Sequence, residues 1–402
     1  MILPVPTFPI AANSLATATC FGEAATIVGS AWEDITGTDG PDVVVTNGAE
    51  SVNTGRGNDL LCITKWFDFT GFSTGAGNDR VQVSTPAEKD AWLLVDLGAG
   101  SDEFIGGPTD ESVVAAHGNN GLGDRDTINT GEGDDDVTTG GASAKGDSID
   151  LGPGQDLLIV KRARASALRV TAVGADNSLF LWNPGAGSAS LALDNTTGQL
   201  TREGVLAAEF VGFSAFNVQV GGPLTFVGGA SGEELTLAHR PGRDQAAPWP
   251  HDISMGAGDD GVDGPMGAPG SRYDGGEGTD TFSLGWQTSL PTRALYFDLV
   301  TGELRTTVNE VTTARSATTF EHVDMFNSGP VTLLGTEGPD SLSITQYGEA
   351  PGSAVIDGRA GDDVLLGSRG DDDLVGGEGN DSADGGDGQD RCEAETQLSC
   401  EL

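Results

Sequence analysis

Basic residues are scarce in this 402-residue chain: 20 Lys and Arg stand against 61 Asp and Glu, for a formal net charge of −41. A surface that acidic repels phosphate backbones, which argues against nucleic acid as a partner. Aromatic residues make up only 6% of the chain. The four histidines, His117, His239, His251 and His322, form no H-E-x-x-H pair, so no zinc-protease signature is present. There is no G-x-x-x-x-G-K-[ST] loop to cradle a phosphate. No apolar run reaches the roughly eighteen residues a helix needs to span a membrane. Cysteine is limited to Cys20, Cys62, Cys392 and Cys400, two near each end and none between, without C-x-x-C spacing. That distribution reads as two disulfides, Cys20–Cys62 and Cys392–Cys400, each pinning one end of the fold.

Glycine, by contrast, is abundant, with 62 residues, and much of it is periodic. Four nine-residue units begin at Gly358, Gly367, Gly376 and Gly385 and place Asp363, Asp372, Asp381 and Asp390 nine apart. Glycines at the first, second and fourth positions allow positive φ and a tight bend that turns backbone carbonyls toward one side. The aspartate adds a charged oxygen. Calcium takes roughly six to eight oxygen ligands in a flexible shell, so carbonyls from two stacked turns plus a carboxylate from each would suit it. If each unit is a six-residue turn and a three-residue strand, two units make one coil, and residues eighteen apart stack. Asp363 then pairs with Asp381, and Asp372 with Asp390. The competing reading is a metal-free β-helix with glycine and aspartate in its turns. Acidic, glycine-rich composition can also mean disorder. Against disorder, 37% of residues are hydrophobic and many fall in strand-like runs such as Trp92–Val95, Leu157–Val160 and Leu235–Leu237.

Degenerate copies of the turn end at Asp42, Asp59, Asp79, Asp102, Asp135 and Asp156, and later at Asp260, Asp280 and Asp340. The first four of these lie 17, 20 and 23 residues apart, close to one coil each, which puts a ladder of aspartates on one edge. Asp126 and Asp147 continue that edge, and Asp135 and Asp156 lie on the other. The other edge looks degenerate near the start, where Ser51 replaces an aspartate and Phe67-Asp68-Phe69 lacks glycines. Between Lys161 and His251 the glycine-aspartate turns vanish while strand-like runs continue, as expected for coils without calcium. A duplication of about 105 residues runs through this region. Leu193-Asp194 to Gly198-Gln-Leu200 recurs as Phe297-Asp298 to Gly302-Glu-Leu304, and Gly228 to Leu235 aligns with Gly335 to Leu342. Glu233 stands where the second copy has Asp340, and its longer side chain predicts a weakened or lost site.

The pattern G-G-x-G-x-D-x-U-x, with U a large apolar residue, resembles the calcium-binding repeat of secreted RTX-type (hemolysin-type) proteins. Gly376-Gly377-Glu378-Gly379-Asn380-Asp381 matches its turn half fully. The segments Cys20–Gly29 and Cys392–Cys400 resemble the ends of stand-alone versions from high-GC Gram-positive bacteria. The resemblance implies an all-β, right-handed parallel β-roll or β-helix with calcium between turns, to which the loss of glycine-aspartate turns adds degenerate, calcium-poor coils in the middle. The expected organisation is a truncated signal peptide at 1–18 with an A-x-A site ending at Ala18, and an N-terminal β-roll at 19–160. A calcium-poor segment at 161–251, a second β-roll module at 252–391 and a disulfide-capped tail at 392–402 follow. The leader lacks a basic n-region and is interrupted by prolines, so secretion rests more on the cysteines and on external calcium.

The expected function is calcium binding by a secreted, extracellular protein without enzymatic activity. One alternative is a surface adhesin or glycan-recognition module facing an extracellular polysaccharide or a cell surface. Another is a polysaccharide-modifying or hydrolytic enzyme built on the calcium-poor segment. Gly71-Phe-Ser73-Thr-Gly75 satisfies G-x-S-x-G, but a nucleophile elbow needs a strand before it and a helix after it, and here a calcium-type turn follows. Trp32, Trp66, Trp92, Trp182, Trp249 and Trp286 are candidates for core filling or for a ligand face.

Overall fold

A computed structural model describes residues 18–67, 69–84, 92–115, 125–140, 146–161, 168–174, 176–182, 189–219, 221–238, 249–284, 294–326, 329–345 and 352–401. The leader expected at 1–18 lies outside them except for Ala18, as do His117, His239 and Trp286. Every regular element among the described residues is a β-strand. The strands stack into a solenoid of about 14 turns, the all-β architecture the repeat predicts. Among the described residues no helix is long and apolar enough to cross a membrane.

The chain alternates between two long sheets. One begins at Ile27–Val28 and Val43–Val45 and ends at Arg391–Glu393; the other runs from Asp34–Thr36 to Thr396–Leu398. Parallel pairing joins each strand to its counterpart one coil away, for example Leu61 with Val44 and Val81. Alternation along each short strand sends one set of side chains inward. The inward residues stack across coils, as in Val137, Leu158, Leu179, Phe216, Leu235 and Val262, and later Val323, Leu342 and Leu365. The result is one continuous apolar core that runs the length of the solenoid. Leu342 is fully buried between Val323 and Leu365. Leu342→Ala is therefore expected to cost about 2–5 kcal/mol, measurable as a fall in urea midpoint at unchanged m-value.

One feature departs from the expected parallel solenoid. The chain at Leu191–Asp194, Gln199–Arg202 and Val205–Val211 forms an antiparallel meander, and only its outer strands pair in parallel with the neighbouring coils. Ala294–Asp298, Glu303–Val308 and Val311–Thr318 form a second meander with the same topology. These are the segments that the 105-residue duplication relates. The shared Asp-x-x-x-Gly is a hairpin loop: Asp194 Oδ1 accepts the Thr196 and Thr197 N–H groups, and Asp298 Oδ1 those of Val300 and Thr301. Gly198 and Gly302 close these loops at φ +63° and +67°, which glycine adopts without strain. Each meander adds two strands to one sheet and none to the other, and large rings fill the core beside them. Phe210, Phe213, Phe216 and Phe226 pack together at the first, and Tyr273, Phe282, Phe297 and Phe320 at the second.

Both expected disulfides are present. Cys20–Cys62 fastens the N-terminal hairpin, Thr19–Cys20 with Glu23–Ala24, onto the strand Leu60–Ile63. Cys392–Cys400 closes the last loop.

Candidate metal centre

The turns stack as closely as the strands do. Ala76 N–H donates to Gly55 O at 3.0 Å, and Gly77 N–H to Ala99 O at 2.8 Å, so successive turns bond directly. Glycine is obligatory at this contact: a Cβ on Gly77 would lie 1.4 Å from Gly57 O, and one on Gly379 1.7 Å from Gly361 O.

The aspartate ending each turn points inward and is almost completely buried. One of its oxygens has a structural task that the repeat pattern alone does not reveal. Oδ1 accepts the backbone N–H of the aspartate one coil earlier: Asp59 from Asp42 at 2.8 Å, Asp79 from Asp59 at 2.8 Å, Asp102 from Asp79 at 2.7 Å and Asp126 from Asp102 at 2.9 Å. Asp147 then accepts from Asp126, so the first edge continues as the spacing predicts. On the second edge Asp135 accepts from Glu111 and Asp156 from Asp135. The same ladder links Glu233, Asp260 and Asp280, and links Asp340, Asp363 and Asp381. Asp390 accepts from Asp372, which confirms the eighteen-residue stacking on both edges. Ser51 is not in the aspartate position. It aligns with Gly71, Leu94 and Ser112, one residue past the rung that Thr70, Leu93 and Glu111 occupy.

Ladder ends carry substitutes. Asn177 accepts the Asp156 N–H, Glu321 that of Asp280, Glu395 that of Asp381 and Glu401 that of Asp390. The Cys392–Cys400 loop thus carries Glu395 into place, with Glu401 just beyond it. A second, exposed ladder runs in the opposite sense through the residue before each aspartate. Asn78 N–H donates to Asn58 Oδ1, Thr279 N–H to Asp259 and Asn380 N–H to Asp362.

The other carboxylate oxygen sorts the sites. In Asp59, Asp79, Asp135, Asp156, Asp260, Asp280, Asp363, Asp381 and Asp390, Oδ2 is buried and has no hydrogen-bond partner. The Thr54, Thr74 and Thr130 hydroxyls stand beside the first three of these. Each donates its single proton across the coil instead, to Thr74 O, Leu97 O and Leu151 O. Asp42, Asp340 and Asp372 differ. Their Oδ2 accepts the N–H and hydroxyl of Thr38, Thr336 and Ser368. Those residues hold the second position of the turn, where glycine stands in most of the others. Glu233, at the degenerate site, is satisfied at both oxygens, by Gly229 N–H at 3.0 Å and by Asn195 Nδ2 at 3.1 Å. Arg359 also replaces a second-position glycine, and its guanidinium reaches Gly335 O at 2.6 Å and Asp298 at 3.0 Å. Thr336→Gly is expected to lower metal-free stability by about 1–2 kcal/mol through the lost hydroxyl donor. It should also add a calcium-dependent gain that wild type lacks at that rung, as read from urea melts with and without calcium.

Burial is the main force on these groups. It pushes the Asp79, Asp156 and Asp340 carboxyls up to about 6, those of Asp135 and Asp260 to about 7, and Glu111 to about 8. Repulsion from the aspartate on the adjacent coil adds to the rise, as Asp59 does to Asp79 and Asp381 to Asp363. No three His, Cys, Asp or Glu side chains converge among the described residues. A cation in these turns would be held by carboxylates from neighbouring coils together with backbone carbonyls. That all-oxygen set, with spare buried anionic oxygens and no nitrogen or sulfur, fits a hard divalent ion.

Ser73 closes the strand Phe69–Ser73 and its carbonyl accepts the Thr54 N–H. No helix follows it, so the context of a nucleophile elbow is missing. Trp66 is buried in the core, whereas Trp32, Trp92 and Trp182 are exposed. No protein-family model matches the chain, and a comparison with curated proteins finds no match.

Proposed function

We propose that this chain is a secreted calcium-binding repeat protein of the RTX type, without enzymatic activity, whose solenoid is stabilised by Ca2+ between stacked turns. The observation that carries this reading is the row of buried, unpartnered Oδ2 atoms along the aspartate ladders. Leaving an anionic oxygen buried without a donor is costly, and a native fold that does so repeatedly at one motif position implies a missing partner. Calcium supplies that partner: it neutralises two neighbouring carboxylates and accepts carbonyl ligands from the glycine turns. Residues that would hold it are Asp59 with Asp79, Asp135 with Asp156, Asp260 with Asp280, Asp363 with Asp381, and Asp390 at the last rung. The two disulfides support an oxidising, extracellular setting.

The net charge of −41 opposes compaction, and bound divalent ions offset part of it. An ion bound only by the folded state contributes on the order of 2.7 kcal/mol per site at a hundredfold excess over its dissociation constant. Several such sites make folding strongly calcium-dependent. The test is a calcium titration of EDTA-stripped protein followed by far-UV circular dichroism, light scattering and urea melts, with magnesium as control. The expected result is a calcium-selective gain in stability without aggregation. A spectrum and a urea midpoint that do not respond to calcium would refute the reading.

A further inference from the structure

The outer face of one sheet carries a groove. It has a volume of about 280 Å³ and lies across the strands Leu157–Lys161, Ser178–Trp182, Ala215–Gln219 and Glu234–Ala238, the first of which follows the Asp156 turn. Its origin is a run of small residues: Ser178 and Ala215 stand in register between the larger Leu157 and Glu234. Beside them Phe180, Asn217 and Thr236 form a second outward row on three consecutive coils. Phe180 and Trp182 place two rings 6.0 Å apart on one strand, with Trp182 exposed to solvent. Asn217 Oδ1 is shielded from water and has no hydrogen-bond partner. The Glu234 carboxylate lies flat across the neighbouring strand, where a Cβ on Gly261 would come within 2.2 Å of Oε2.

We propose that this groove binds a neutral saccharide, one or two pyranose rings, with a sugar face against Phe180 and its hydroxyls bonded to Ser178, Asn217, Glu234 and Thr236. A single apolar wall beside hydroxyl, amide and carboxylate groups suits a ligand that is apolar on one face and rich in hydroxyls at its rim. Hydroxyls both donate and accept, as Ser178, Thr236 and Asn217 do, and a donor from the ligand satisfies the orphaned Asn217 oxygen. Polyanionic glycans are excluded by Glu234 and by the charge of the whole chain. A simple cation would need carboxylate and carbonyl oxygens but neither the two hydroxyls nor the aromatic wall. The inference stands independently of calcium in the turns.

The test presents the full chain, in calcium, to an array of neutral oligosaccharides, with spermidine as a cationic probe. Binding is then measured by calorimetry for wild type, Phe180→Ala, Asn217→Ala and Thr236→Val. Each variant is expected to lose affinity by on the order of tenfold, through a lost apolar wall or hydrogen bond, with circular dichroism and urea midpoint unchanged. Should Phe180→Ala prove destabilised, the outward-facing, near-isosteric Thr236→Val decides. Absence of binding to any neutral saccharide overturns the proposal, as does binding that none of the variants weakens. Binding of spermidine alone, abolished by Glu234→Gln, would assign the groove to a cation instead.

Discussion

Asp79→Asn is expected to leave the metal-free protein at least as stable as wild type while removing the stabilisation calcium provides at that rung. Asp79→Ala, in contrast, should lower stability whether calcium is present or not. The two oxygens of Asp79 have separate partners. Oδ1 accepts the Asp59 N–H at 2.8 Å, and an asparagine Oδ1 can do the same. Oδ2 has no donor, and burial has already pushed the carboxyl up to about 6, so a neutral amide relieves a charged group that the fold disfavours. Alanine removes the acceptor and leaves a buried N–H unpaired, at a cost of about 1–3 kcal/mol. In calcium, asparagine forfeits the charge on a ligand oxygen, and the loss should approach the site's whole contribution, on the order of 2–3 kcal/mol at saturating metal. Urea melts of the three proteins in EDTA and in calcium measure both effects. If Asp79→Asn retains the full calcium response of wild type, the aspartates serve only the hydrogen-bond ladder and the metal assignment fails.

That experiment separates two roles which the repeat pattern cannot. The spacing of Asp363, Asp372, Asp381 and Asp390 is enough to deduce the coil, its two edges and the pairing of residues eighteen apart. Placement of the cysteines anticipates both disulfides. A single aspartate per turn, however, serves a backbone N–H through one oxygen and exposes the other to a ligand, and residue type alone does not distinguish these. A signal for the difference does exist, at the second turn position: Thr38, Thr336 and Ser368 mark the aspartates whose second oxygen is already satisfied. The meanders were hidden for another reason. An antiparallel strand alternates inward and outward residues with the same period as a parallel one, so Leu191–Asp194 and Gln199–Arg202 read as ordinary coil strands. The duplicated Asp-x-x-x-Gly was the visible trace of the hairpin loop. Glu321, Glu395 and Glu401 lie 41, 14 and 11 residues from the aspartates they cap, outside any repeat period, and only the folded chain brings them to the ladder ends.

The second large effect concerns pH. Stability of the metal-free protein should fall as pH rises from about 4, the unfolded carboxyl range, through 6 to 7. The carboxyls of Asp79, Asp156 and Asp340 lie near 6, those of Asp135 and Asp260 near 7, and Glu111 near 8, all raised first by burial. A group whose folded pKa exceeds its unfolded pKa holds its proton more tightly in the native state. Its contribution is complete below the unfolded value and is lost as pH climbs through the folded one. Repulsion among surface carboxylates acts in the same direction but is screened by salt, whereas the penalty on buried groups is not. Urea midpoints at pH 4.5, 6 and 7.5 in EDTA and high salt should therefore still decline. Calcium reverses the sign, because it competes with protons for the same oxygens and binds more tightly as they ionise. With calcium in excess, stability should hold level or rise across that window, so the gap between the two series widens toward neutral pH. A metal-free midpoint that rises with pH would mean that these carboxylates are stabilised in their charged form by the protein itself, leaving no deficit for an ion to correct.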